Sequence, residues 1–139
     1  MKRNNAGLVA FVVLAFSLAC DSDTTAPGTH AEEFQVSFTS VVTPESIGPH
    51  QVLVVKLSGG LGCDGCYQFD RFQVQRAGVS AEISGRGIHW LDLRCTQFPS
   101  SFSDYEYAIQ PPFEPGVFRV IARQPDGSAI ERDVVVSTL

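Results

Sequence analysis

The chain has no cluster of basic residues. Beyond Lys2-Arg3 no two basic side chains adjoin, and the 10 Lys and Arg are outnumbered by 15 Asp and Glu. A phosphate backbone is held by concentrated Lys and Arg, so a nucleic-acid partner is excluded. No stretch after residue 19 approaches membrane-spanning length, and none keeps helical spacing over ten residues. A phosphate-cradling loop is missing too: Gly59-Gly60-Leu61-Gly62 has no Lys-Ser/Thr partner and opens no helix. Histidine is scarce. His30 sits in a polar stretch and His50 in a proline turn, which leaves His89 beside Trp90. Acid–base or nucleophilic catalysis needs a base near a nucleophile and a carboxylate. The carboxylates here are scattered singly, as on a solvated surface, and no catalytic residue is expected.

What is present begins with the three parts of an export signal. Met1, Lys2 and Arg3 make a positive start, and Ala6 to Ala19 is an uncharged run of mostly Leu, Val, Phe and Ala. As a helix this run would extend roughly 21 Å, short of the roughly 30 Å hydrocarbon core, so it reads as a removable signal. The junction Phe16-Ser17-Leu18-Ala19-Cys20 resembles the bacterial lipobox, in which the cysteine receives a diacylglycerol and becomes the mature N-terminus. Ala19 matches that pattern, and Ser17 stands where Leu is commonest. The resemblance implies lipidation of Cys20, with acyl chains holding the protein on a membrane. Cleavage before Cys20 leaves 8 Lys and Arg against 15 Asp and Glu, a net charge of −7. The expected organisation is a lipoprotein signal peptide at 1–19, a flexible tether at 20–33 without large apolar residues, and one β domain at 34–139.

From Phe34 onward, short β-type runs alternate with Gly, Pro and Asp. Phe34, Val36 and Phe38 alternate with Gln35, Ser37 and Thr39, one face apolar and one wet. Pro44 to Pro49 reads as a turn, Val52 to Leu57 as a central strand, and Ser58 to Gly65 as a glycine-rich loop. Tyr67 and Phe69 have the opposite parity to Phe72 and Val74, which predicts a bulge near Asp70. Ala77-Gly78 turns into Val79 to Ile83. Ser84 to Gly87 reads as another turn, Ile88 to Cys95 as a strand, and Thr96 to Asp104 as a polar loop. Tyr105 to Gln110 alternates again, and Pro111, Pro112, Pro115 and Gly116 interrupt pairing. Val117 to Arg123 and Ala129 to Ser137 flank Pro125-Asp126-Gly127 as a hairpin. The pattern predicts an all-β fold: an Ig-like antiparallel two-sheet sandwich of seven to eight strands, with a small barrel as the alternative.

Asp64-Gly65-Cys66 before a strand, Cys95-Thr96-Gln97, and Pro115-Gly116-Val117-Phe118-Arg119-Val120 opening the last hairpin together resemble a class of bacterial envelope lipoprotein domains with an Ig-like sandwich. The resemblance spans about Val52 to Ser137. It implies a fold and a disulfide, transfers no catalytic residue, and leaves Cys63 as an extra.

Two constellations bear on function. Cys63-Asp64-Gly65-Cys66 has the spacing of a redox pair, but glycines precede it and a strand follows, so no helix N-terminus lowers a thiol pKa. A c-type haem needs His after the second Cys, where Tyr67 stands. Cys63, Cys66, Cys95 and His89 would suit zinc or copper chemically. In an oxidising compartment a disulfide between Cys66 and Cys95 is the favoured reading, and no metal or other cofactor is expected. The second constellation is aromatic. Phe98, Phe102 and Phe113 lie in Pro/Ser-rich connections, where they either cap the core or form an exposed binding surface for a protein or glycan. The expected function is a non-enzymatic, monomeric, lipid-anchored binding or structural module of the cell envelope. The alternatives are a periplasmic metal or thiol-redox protein and an accessory subunit of an envelope complex.

Overall fold

The period-two alternation is realised as nine strands in a computed structural model that describes residues 30–138. The expected signal peptide and the expected lipidation site, Cys20, fall outside the described residues. The strands are β1 (Ala31–Gln35), β2 (Ser37–Val42), β3 (Ser46–Ile47), β4 (Leu53–Gly62), β5 (Tyr67–Ala77), β6 (Ser80–Trp90), β7 (Ser100–Ile109), β8 (Gly116–Arg123) and β9 (Ala129–Val136). No helix occurs among the described residues. The all-β expectation holds, and the strands divide between two sheets.

The smaller sheet has the order β2-β4-β7 and is antiparallel throughout. The larger contains β1, β3, β5, β6, β8 and β9, with β6 at its centre. Strand β5 pairs along the whole of one edge of β6. The other edge is shared: β1 takes Arg86 to Trp90 antiparallel, and β8 takes Ser80 to Ile83 in parallel. Strand β9 then pairs with β8, and the two-residue β3 closes the sheet in parallel with β9.

Alternation sends one side chain in two to the interface between the sheets. The smaller sheet contributes Phe38, Val41, Leu53, Val55, Leu57, Phe102 and Ile109, and the larger Ala81, Ile83, Phe118, Val120, Ala122, Val134 and Val136. Each fully buried Val, Leu, Ile or Phe contributes about 1.5–3 kcal/mol relative to exposure. Val36 is the hinge of the arrangement. It is fully buried, its N–H donates to the Gly85 carbonyl at 2.9 Å, and the chain passes there from the large sheet to the small one.

Several boundaries differ from those expected. The predicted single strand from Phe34 is two strands in different sheets, and β1 starts at Ala31, inside the stretch read as tether, where Glu33 pairs with Arg71. Strand β4 runs through its glycines to Gly62. Gly59 stands opposite Phe102, and a Cβ there would lie 2.6 Å from that ring and 2.5 Å from the Ser37 carbonyl oxygen. The glycine is thus a seat for an aromatic side chain. Ser84 to Gly87 is no turn but the middle of β6, and β7 begins at Ser100 within the predicted loop. The bulge falls where parity placed it, between Phe69 and Arg71. The last hairpin also holds, with Asp126 Oδ1 accepting from the Ser128 N–H at 2.9 Å and Gly127 at φ 86°.

Candidate functional site

The cysteines assemble at the end of the sandwich where β4 hands over to β5 and β6 runs out. Asp64 begins a tight turn: its Oδ1 accepts from the Cys66 N–H at 2.8 Å, which aims Cys66 inward beside the core. Across from it, residues 91–99 form an irregular loop. The Gly65 N–H donates to the Thr96 carbonyl at 2.9 Å, and the Ser100 hydroxyl donates to the Asp64 carbonyl. Cys66 and Cys95 are bonded, with their Cα atoms 5.4 Å apart, inside the range that a disulfide bridges. Closing a separation of 29 residues, the link stabilises the fold by about 3 kcal/mol in the loop-entropy model. Cys63 is an exposed free thiol.

The four-residue metal set foreseen from sequence is not brought together. Carboxylate and sulfur atoms of Asp64, Cys66 and Cys95 lie within 4.8 Å of one another, whereas Cys63 and His89 are not in that group. The His89 ring instead lies flat on Tyr67, with centroids 3.9 Å apart and planes 5° from parallel. Tyr67 also covers Gly62, another strand glycine whose missing side chain makes room for a ring. Partial desolvation, followed by the negative charges of Cys63, Asp64 and Glu32, pushes the Tyr67 phenol above its ordinary value. Trp90 Nε1 donates to Gln68 Oε1 at 3.2 Å. A shallow cavity of about 450 Å³ lies between the turn and the loop, lined by Asp64, His89, Trp90, Leu93, Arg94 and the disulfide, among others.

The three phenylalanines separate. Phe102 is 4 % exposed and Phe113 3 %, and both belong to the core, so of the two alternatives they follow core capping and not the exposed surface. Phe102 sits amid rings, 5.0 Å from Phe69 and 5.2 Å from Tyr105, which close the open side between β5 and β7. Phe113 packs edge-on against Phe118 at 5.0 Å. The Arg76 guanidinium covers it at 4.5 Å while donating to the Gln110 and Pro112 carbonyls. Phe98 alone is exposed, at 77 %. The same loop carries two exposed residues that sequence alternation assigned to a strand, Leu91 and Leu93, both about half exposed. Nothing in Leu91-Asp92-Leu93-Arg94 marks the end of a strand. The chain leaves the sheet there and is held by the Cys66–Cys95 link and by the Gly65–Thr96 and Ser100–Asp64 hydrogen bonds.

A larger hollow of about 530 Å³ lies over the seam of β6 and is lined by Glu82, Arg86, Gln73 and Arg123, among others. Its charged groups are already engaged: Arg123 donates to Glu82 at 2.6 Å, and Arg86 to Gln73 at 2.9 Å. No protein-family model, curated protein or solved structure matches the chain.

Proposed function

We propose that this chain is a non-enzymatic, lipid-anchored protein of the bacterial cell envelope, a β-sandwich tethered through Cys20 that presents its disulfide-bearing end as a binding or structural surface. The observation that carries the reading is the union of two features. An export-type N-terminus ends in Ala19-Cys20, and the domain behind it closes on a Cys66–Cys95 link suited to an oxidising compartment. The non-enzymatic part is supported by the histidines' surroundings: His89 is stacked on Tyr67, His30 pairs with Asp92, and among the described residues no histidine nitrogen is hydrogen-bonded to a Ser, Thr or Cys nucleophile. The Ig-like part is supported by three strands facing a sheet that ends in an antiparallel hairpin. The parallel β6–β8 contact departs from it, because both Ig sheets are antiparallel. The test is Cys20→Ser. Loss of acylation should move the protein from membranes to a soluble fraction, or block its processing; a variant processed normally and still membrane-bound refutes the anchor.

One observation favours a second reading. Reduction of the disulfide would leave two thiolates beside the Asp64 carboxylate, a donor set that suits zinc. Titrating zinc into reduced and oxidised protein tests it: stoichiometric binding to the reduced form alone, weakened by Asp64→Asn, supports a metal or redox role. Membrane co-purification with a stable partner would instead point to an accessory subunit.

A further inference from the structure

We propose that the loop 91–99 is a lipid-contacting surface, resting on the bilayer at the foot of the tether. The inference rests on the anchor at Cys20 and goes beyond it by assigning an orientation and an occupant. Three observations converge.

The first is where the apolar side chains are. Leu91, Leu93 and Phe98, about 48 %, 47 % and 77 % exposed, stand within eight consecutive residues. A second exposed apolar group, Val79, Val117 and Val135, lies on the larger sheet, where Val117 stands opposite Val135 and Val79 shares a hollow with Val117; it is made of valines alone, without the larger Leu and Phe side chains of the loop. Trp90 flanks the loop and the exposed Arg94 lies within it, residue types that settle at a membrane–water boundary with the apolar part inward and the polar part wet.

The second is where the chain enters the domain. The His30 carbonyl accepts from the Leu91 N–H at 3.0 Å, and the His30 ring pairs with Asp92. The segment from Cys20 therefore meets the domain at the base of this loop. Ten peptide steps separate Cys20 from His30, which reach at most about 35 Å. Strand β6, 11 residues long, spans about the same distance from Trp90 to the opposite end of the sandwich. An anchor at Cys20 thus favours the end bearing the loop at the membrane, because the Ala77-Gly78 end could face it only with the connecting segment almost fully extended.

The third is that the loop is held in place. The Cys66–Cys95 link, the Gly65–Thr96 bond and the Ser100–Asp64 bond fix its base. Its apolar tips are presented with little ordering left to lose on contact.

Trp90 is the single tryptophan of the chain and a built-in reporter. The full-length lipidated protein is reconstituted into phosphatidylethanolamine–phosphatidylglycerol vesicles, with or without bromine on the acyl chains, and pelleted. The expected result is co-sedimentation, a blue shift of Trp90 emission, and loss of that emission to the bromines. The double variant Leu93→Asp/Phe98→Asp should still co-sediment but escape quenching. Leu91→Asp should reduce quenching, and Val79→Asp, at the far end, should leave it intact. Retention of the disulfide in each variant by non-reducing peptide mapping shows that the fold survives. Co-sedimentation with Trp90 unquenched overturns the loop inference and leaves the anchor standing, as does quenching unaltered in the double variant. Loss of quenching in Val79→Asp overturns the orientation. Failure of the wild-type protein to co-sediment refutes the anchor and the loop inference together.

Discussion

Phe98 and Phe102 stand four residues apart in one Ser/Pro-rich stretch, yet one ring is in solvent and the other is in the core. Local composition does not separate them; what lies opposite does. Phe102 falls on β7 across from Gly59, whose bare backbone admits the ring, and Phe69, Tyr105 and Phe38 surround it. Phe98 belongs to a loop held by covalent and backbone links, with no strand across from it. Aromatic side chains thus serve opposite ends here: one group closes a gap between sheet edges, and the other is left free for a surface.

The contrast is broken most severely by emptying the first region. Phe102→Ser should lower unfolding free energy by 3 kcal/mol or more, and Phe113→Ser by a similar amount, since each removes a buried ring from a packed cluster (roughly 3–5 kcal/mol for Phe truncations). Urea unfolding measures both, and a loss below about 1 kcal/mol for Phe102 would contradict its place in the core. Next in size is the restraint on the second region. Cys95→Ser should cost about 3 kcal/mol by the same assay, and non-reducing peptide maps of the parent protein should show Cys66 joined to Cys95 with Cys63 open to alkylation. Recovery of a Cys63–Cys66 link would instead favour the thiol-redox reading. Phe98→Ser should shift stability by no more than about 0.5 kcal/mol, as surface changes do.

The smallest effect concerns charges on the outside of the large sheet. The Arg123 guanidinium holds the Glu82 carboxyl below its ordinary value near 4.5, and Arg119 does the same to Asp133 below 3.8. Carboxyls with lowered folded-state pKa values favour the fold above their ordinary values and lose that contribution as pH falls through the folded ones. Stability should therefore decline in acid beginning below about pH 4.5, and Glu82→Gln should flatten the decline. Unfolding curves from neutral pH into acid would check this, and an unchanged acid limb in Glu82→Gln would show the pair to be without influence.

Much of the fold was legible because it is local. Parity along Tyr67 to Val74 located the bulge, and Pro125-Asp126-Gly127 located the final hairpin. What escaped depends on partners remote in sequence. Gly85 and Gly87 read as turn residues, yet they lie within β6, where Val36 and the Phe34 ring occupy the space that side chains would fill. The transfer of the chain between sheets at Val36 leaves no mark on the alternation. In the candidate site, the Cys66–Cys95 pairing was readable from the expected oxidising compartment and from resemblance. The contributions of Asp64, Leu91 and Leu93 were not, because a turn carboxylate and a half-exposed leucine acquire meaning only from the chain that faces them.

The shared edge of β6 has a mechanical consequence. Tension applied at residue 30 enters the domain through β1, whose five residues from Ala31 to Gln35 are matched to Trp90 through Arg86. A pull along the strand acts across those backbone hydrogen bonds, so they resist together and must rupture as a group. Once they part, the next point of resistance is Val36, bonded to Gly85 and buried between the sheets. Strand β8 holds a different portion of β6, Ser80 to Ile83, and is not on that line of force. The short first strand is therefore where such tension is borne first, and the other eight strands lie behind the Val36 contact.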